Sequence, residues 1–309
     1  MKSLFSIVVP IYKSEMNISV AIERIEALKN NISNEFDVEV IFVDDGSPDN
    51  SFKLLSQYKQ TRDWIKIVKF TRNFGVPNGI LAGLSYVKGD CAVVLVPDMQ
   101  DPPELLTGML EEWKNGYKIV LAEREDREEP KLQKIISNTF HLLMKNFALP
   151  NYPSNGSDLI LLDRVVVNYL NEMKEKNTNY LSLILWSGYE YKKIYYVRKK
   201  RELGKSSFTF GKKLKYAIDS FLSFSYMPIR AISSLGLLVA CLSFLYGVFI
   251  FINALFGNME VRGYATIVVL ITFLLGLIIL ILGIIAEYLW RILDEAKNRP
   301  RYIIEEELL

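Results

Sequence analysis

The sequence predicts an α/β chain: a Rossmann-like domain with a mostly parallel sheet, then an amphipathic interface helix and two transmembrane helices. Three observations predict this. Val- and Ile-rich runs alternate with helix-length segments through the first part of the chain. Two runs, Ile232 to Phe256 and Tyr264 to Ala286, hold no charge over 25 and 23 residues, and a bilayer core needs about 20 apolar helical residues. Between Arg198 and Arg230, nine Lys or Arg face only Glu202 and Asp219.

The strand-like runs are Phe5–Val9, Val38–Val43, Ile65–Phe70, Cys91–Val96 and Ile119–Ala122. Between them lie helix-length segments at Met16–Leu28, Asp49–Gln60, Gly79–Val87 and Glu104–Lys114, with a further helix from about Lys131 to Phe147. Strand–helix alternation implies right-handed crossovers and a doubly wound sheet. Ligands of such sheets bind beyond the carboxyl ends of the strands. Each run gives way to a polar stretch: "PIYKSE", "VDDGSPDNS", "TRNFGVPNG", "VPDMQDPPE" and "AEREDREEP". Together they predict one rim.

The membrane part is read in the same way. Phe210, Leu214, Ile218 and Phe221 recur at helical spacing, with Lys212, Lys213 and Lys215 mainly off that stripe. This pattern fits an amphipathic helix on an anionic surface or a solvated helix of the soluble domain, and its place directly before an apolar span favours the first. The predicted boundaries are a catalytic domain at 1–205, an interface segment at 206–231, a transmembrane hairpin at 232–290 and a tail at 291–309. Basic residues crowd before the first span and after the second, at Arg291, Lys297, Arg299 and Arg301. The positive-inside rule then puts the catalytic domain and both termini in the cytoplasm. Tyr288 and Trp290 sit where an aromatic belt is expected. No secretory signal is expected, because the first apolar run ends at Pro10.

A net charge of +2 gives no reason to expect nucleic acid as a partner. Two cysteines, Cys91 and Cys241, fall in a strand and a lipid-length run, so no disulfide is expected. His141 is the only histidine. A serine or cysteine hydrolase and a Cys/His metal cluster are therefore unsupported, and no P-loop appears. A channel is disfavoured because the spans lack polar pathway residues.

The rim residues admit two readings each. Asp44 and Asp45 can accept hydrogen bonds from a base or ribose; alternatively the stretch is an Asx-turn with Ser47 or Asp49 capping the next helix. Arg72 can meet a base or phosphate, or form a surface ion pair. Asp98 and Gln100 stand two apart, so on an extended segment both can face one divalent cation. Asp101 suits an N-cap before Pro102 and Pro103. Arg124, Arg127, Lys131 and Lys134 near Ser137 suit a phosphate, or a charged solvated helix.

In order and spacing, several stretches resemble the family 2 glycosyltransferases with a GT-A fold. They are "IVVPIYKSE", "VIFVDDGSPDNS", "TRNFG" with "AGLSYVKGD", "DMQDPPEL", "LLDRVVV", "WSGYEYKKIYYVRKKRELGKS", "DSFLSFSYMPIR" and "RPRYIIEE". Within that family the sequence is most similar to the polyprenyl-phosphate group of bactoprenol glucosyltransferase and dolichol-phosphate mannose synthase. The resemblance implies inverting transfer of a sugar from a nucleotide sugar, UDP by resemblance, to undecaprenyl or another polyprenyl phosphate at the inner face of a bacterial membrane. It implies that Pro10, Tyr12, Asp44, Asp45 and Arg72 line the nucleotide pocket. It implies Mg²⁺ or Mn²⁺ on Asp98 and Gln100. It places Asp98 and Asp101 in the catalytic set, with Arg124, Arg127 and Ser137 facing the lipid phosphate. It also allows a homo-oligomer, a tetramer included.

Four positions depart from the family pattern. Val96 stands where Asp is usual, Val76 where Lys is common and Ile160 where Arg is common. The usual Ser-Lys pair reads Ser206-Ser207, with Lys205 one place earlier. These losses imply an unusual donor or a catalytically silent relative that binds nucleotide. A processive polysaccharide synthase is the other enzyme alternative, but its Gln-x-x-Arg-Trp motif has no counterpart, since no glutamine occurs after Gln133.

Overall fold

The computed structural model describes residues 2–97, 103–124, 131–153, 157, 159–173, 175, 179–196, 217, 219–255 and 263–309. Its strands are β1 (Ser3–Ile11), β2 (Phe36–Asp44), β3 (Ile65–Phe70), β4 (Cys91–Val94), β5 (Ile119–Arg124), β6 (Leu159–Asp163), β7 (Tyr191–Tyr196) and β8 (Ile304–Leu308). Its helices are α1 (Glu15–Ile32), α2 (Ser51–Lys59), α3 (Val76–Ser85), α4 (Pro103–Lys114), α5 (Lys131–Phe147), α6 (Arg164–Glu172), α7 (Tyr180–Trp186), α8 (Met227–Leu255) and α9 (Tyr264–Ala296). The eight strands form one sheet in the order β7-β5-β6-β4-β1-β2-β3-β8.

Side chains alternate across each strand, and this builds two cores. Phe5, Ile7 and Val9 of β1 pack with Val40 and Phe42 of β2, under Ile18, Ile22 and Ile25 of α1 and Leu106 and Met109 of α4. Val8, Ile41, Val43 and Val68 face the other way, against Ala82 and Leu84 of α3 and Val166, Val167 and Leu170 of α6. Both faces are covered, which is why β1, β2 and β4 read as continuous apolar runs. Helix α3 packs tightly on β1 at Gly83, where a Cβ would overlap the Val8 side chain.

The central strands β4, β1, β2 and β3 are parallel. The order reverses at β1, so the crevice beyond the ends of β1 and β4 is the topological switch point. Three strands go beyond the sequence reading, one of them β7, which runs parallel to β5. Strand β6 runs antiparallel to both β4 and β5. Strand β8 closes the far edge antiparallel to β3.

Polar groups brace the amino ends of the strands. Glu39 is 6% exposed. It accepts from Ser6 Oγ at 2.6 Å, Lys66 Nζ at 2.5 Å and Gly89 N at 3.1 Å. In the "LLDR" stretch, Asp163 caps α6 at Val165 N (3.0 Å) and accepts from Trp113 Nε1 and Lys118 Nζ, both at 2.9 Å. Arg164 donates to the carbonyls of Val87 and Gly89. That motif is structural and sits at the end of the sheet opposite the rim.

The chain divides into two compact units, Met1–Phe224 with Pro300–Leu309, and Ser225–Arg299. The second holds α8 and α9, of 29 and 33 residues, or roughly 43 and 50 Å at 1.5 Å per residue. Leu238, Leu242, Phe244, Leu275, Leu282 and Leu289 are all exposed. Both helices are long and apolar enough to cross a bilayer. The polypeptide leaves the first unit, makes this hairpin, and returns to the same sheet as β8. If both helices cross, the two ends of the hairpin therefore lie on one side. Most of the predicted interface segment, 206–216 and 218, and the loop 256–262 are outside the described residues.

Candidate active site

The rim is built from the loops after β1, β2 and β3. Pro10 is buried near the end of β1, beside Val43. Tyr12 comes two residues later, 39% exposed, with the Lys13 ammonium 5.4 Å from its ring centre. Lys13 takes a left-handed φ of 53°. Its amide donates to Ser47 Oγ at 3.0 Å, and Ser14 N donates to Ser51 Oγ at 3.1 Å. Glu15 then accepts from Asn50 N at 3.2 Å and Asn50 Nδ2 at 3.0 Å. The first two loops are thus tied together before any ligand arrives. Sequence reasoning missed this brace, because its partners lie more than thirty positions apart. The N-cap of α2 is Asn50 rather than either expected cap, and its side chain makes no capping bond; Asp49, just before it, accepts from Ser51 N at 3.2 Å.

The two aspartates of "VDDGS" divide their work. Asp44 is fully buried. Its Oδ1 accepts from Ser47 N at 3.0 Å. Its Oδ2 is buried and has no hydrogen-bond partner. Burial pushes this carboxyl above the usual aspartate range, although the Ser47 bonds oppose the shift. A buried acceptor oxygen without a donor is costly, which makes Asp44 Oδ2 a candidate acceptor for a ligand donor. Asp45 instead holds the third loop. Its Oδ1 accepts from Phe74 N at 2.5 Å and its Oδ2 from Gly75 N at 2.9 Å. Burial raises its carboxyl too, against those two bonds.

Arg72 stands exposed on that third loop, its guanidinium 4.0 Å from the Phe74 ring centre. Between the loops sits Gly46, with φ +64°. A Cβ there would lie 2.5 Å from the Arg72 carbonyl carbon. The glycine lets the two rim segments touch. The geometry therefore brings Pro10, Tyr12, Asp44, Asp45 and Arg72 onto one rim, while Asp45 has a bracing role that its motif did not reveal.

The loop after β4 includes Val96, half-buried. Asp98, Gln100 and Asp101 lie outside the described residues, as does Arg127. Arg124 ends β5, in register with Tyr196 of β7. Ser137 is half-buried on α5. On the same helix His141 packs its ring 5.7 Å from Tyr152 and 5.5 Å from Phe140. Among the described residues no group of three or more His, Cys, Asp or Glu is placed to hold a metal ion. Ile160 is 2% exposed in the core cluster with Val166 and Leu84, so an apolar side chain fits its place. Val76 opens α3 and is 51% exposed.

Residues 6–211 match the model of Glycosyl transferase family 2. The uncharacterised glycosyltransferase YkcC of Bacillus subtilis is 35% identical over 303 residues, covering 98% of this chain and 93% of the relative. The bactoprenol glucosyl transferase of Shigella phage SfII is 34% identical over 303 residues, covering 97% of each. Among solved structures, the mannosyltransferase of Pyrobaculum calidifontis in complex with GDP-Man and Mn²⁺ aligns with a TM-score of 0.47 at 16% identity, over 65% of this chain and 59% of that one. With this rim at the switch point of a Rossmann-like sheet and two membrane-length helices later in the sequence, the chain belongs to glycosyl transferase family 2 and is related to the bactoprenol sugar transferases.

Proposed function

We propose that the protein transfers a sugar from a nucleotide sugar, with UDP as the nucleotide, to a polyprenyl phosphate such as undecaprenyl phosphate, with inversion. The observation that carries the donor half is Asp44 Oδ2, a buried oxygen lacking a donor on the pocket rim. A uracil N3–H has the chemistry to satisfy it. Arg72, held over Phe74, faces the nucleotide. The acceptor half is supported by the two membrane-length helices in the same chain and by the similarity to the phage bactoprenol glucosyl transferases.

The acceptor is already an anion at neutral pH, so little general-base help is needed. Catalysis then rests on positioning and on charge at the leaving diphosphate. Asp98 and Gln100 would hold Mg²⁺ or Mn²⁺, which when bound offsets the charge on that diphosphate. Their oxygen donors suit a hard cation, and Val96 leaves the site one carboxylate short of the family pattern. Asp101, whose carboxylate suits an N-cap before Pro102 and Pro103, would hold the loop beside that cation. Arg124, Arg127 and Ser137 orient the acceptor phosphate. The catalytic domain and both termini face the cytoplasm of a bacterial inner membrane, supported by Arg291, Lys297 and Arg299 beside α9. Copies associate as a homo-oligomer, a tetramer among the options.

The test incubates purified protein with undecaprenyl phosphate, Mg²⁺ or Mn²⁺ and a panel of nucleotide sugars, with mass spectrometry of the lipid. A glycosylated lipid phosphate that disappears with EDTA and in Asp98→Ala is expected. Metal-dependent nucleotide binding with no product from any donor would overturn it in favour of the silent, nucleotide-binding relative that Val96 motivates.

A further inference from the structure

The tail beyond α9 reaches the donor rim. Strand β8 pairs with β3, and just before it Ile303 O accepts from Thr71 N at 3.1 Å, one residue from Arg72. Tyr302 stacks on Phe70 with ring centres 4.9 Å apart and planes 14° from parallel. Phe70 meets Phe74 edge-on, at 5.7 Å and 90°. Phe74 carries the Arg72 guanidinium. Tyr302, Phe70, Phe74 and Arg72 therefore form one continuous file of rings ending in a cation. The tail is also anchored away from this file: Arg301 donates to Met173 O at 2.7 Å, Lys69 pairs with Glu305 at 2.9 Å, and Tyr86 donates to Glu307 at 2.5 Å.

The Phe74 loop has two supports. Asp45 holds its amides from the side of the second loop, and the ring file holds its side chains from the tail. Neither support is local in sequence. The covalent path from the last membrane-length helix to Tyr302 runs through only Lys297 to Arg301.

We propose that Tyr302 is a positioning residue of the donor pocket: through Phe70 and Phe74 it sets Arg72 for the nucleotide, so that the C-terminal strand ties donor affinity to the segment leaving the second apolar helix. This rests on the reading of the rim as a nucleotide pocket. A lost aromatic stack corresponds to roughly a 3- to 10-fold change in affinity when its geometry is what ligand binding requires.

The experiment uses the full chain in detergent. Hydrogen exchange is monitored in peptides covering Thr71 to Val76, and UDP affinity is measured with Mg²⁺ by calorimetry. The variants are Tyr302→Ala, Tyr302→Phe, Glu305→Ala and Arg72→Ala. Expected are faster exchange in that loop and ~5-fold weaker UDP binding in Tyr302→Ala. Tyr302→Phe, which keeps the ring, should restore both. Glu305→Ala, which removes an anchor outside the ring file, should leave UDP affinity unchanged. Equal losses in Glu305→Ala and Tyr302→Ala would reduce the tail to a general stabiliser and overturn the proposal. So would a Tyr302→Ala loop that exchanges like the wild type. If Arg72→Ala weakens UDP and Tyr302→Ala does not, the coupling fails while the pocket stands. If Arg72→Ala has no effect and Tyr302→Ala does, the route through Arg72 is wrong. If wild-type protein binds no UDP, the UDP reading of the pocket fails, and loop exchange alone decides whether Tyr302 sets the loop.

Discussion

Gly46→Ala is the sharpest test of how the rim is assembled. The residue sits at φ +64°, where an added Cβ would lie 2.5 Å from the Arg72 carbonyl carbon, 2.6 Å from its Cα and 2.9 Å from its oxygen. The backbone conformation alone costs an L-residue roughly 1–2 kcal/mol. An ordinary carbon contact is about 3.5 Å, so one segment must withdraw by roughly 1 Å. Asp45 holds Gly75 N at 2.9 Å, and a displacement of that size breaks the bond. Hydrogen bonds to charged groups contribute about 1.5–3 kcal/mol. The expected loss is therefore about 3–5 kcal/mol, with a displaced Arg72. Thermal unfolding of the full chain and UDP calorimetry read the two effects. Gly46→Asn separates them, since asparagine tolerates positive φ but still carries a Cβ. Wild-type stability and affinity in Gly46→Ala would refute the reasoning. Recovery in Gly46→Asn would show that backbone conformation matters and the close approach does not.

Three other outcomes are expected. Asp44 and Asp45 have raised carboxyl pKa values, chiefly through burial, so both protonate at a pH above the usual aspartate value of about 3.9. On acidification toward that value UDP affinity should fall early, and Asp44→Asn should flatten the profile. Stability moves the other way, because a raised carboxyl pKa destabilises the fold at neutral pH and that penalty is relieved as pH falls. Glu39 behaves oppositely: burial would raise its pKa, but bonds from Lys66, Ser6 and Lys88 outweigh it and hold it low. Its contribution is present at neutral pH and is lost as pH falls through that lowered value. Glu39→Ala should cost about 1–3 kcal/mol in thermal unfolding by leaving Ser6 Oγ and Gly89 N, both buried, without their acceptor and the half-buried Lys66 without its partner. Finally, Val96→Asp should lower the Mg²⁺ concentration giving half-maximal transfer, read by titrating metal into EDTA-treated enzyme.

Much of the α/β frame was legible in the sequence for a physical reason. Strands covered on both faces need apolar side chains at every position, so "SIVVPI" and "VIFV" stand out. Ile65–Phe70 was legible to the residue. Strand β8 was not, because an edge strand exposes most of its side chains and "IEEEL" looks like a solvated tail. Its partner lies more than two hundred positions upstream. At the rim, the residue types of Asp44 and Asp45 were legible, but their division of labour was not. That depends on which amides arrive from the loop after β3. The role of Tyr302 was hidden for the same reason. Of the departures among the described residues, only Ile160 has an evident accommodation, in the core beside α6.

Translation runs from the amino terminus, so β8 is the last piece of the sheet to be made. Until both apolar helices have left the ribosome, β3 is an open edge, and open edges recruit strands from other chains. The sequence of β3, Ile-Lys-Ile-Val-Lys-Phe, carries two lysines that discourage such pairing. Lys66 is tied inward to Glu39. Lys69 waits outward until Glu305 reaches it. The same ammonium thus guards the nascent edge against strangers and then receives the chain's own closing strand.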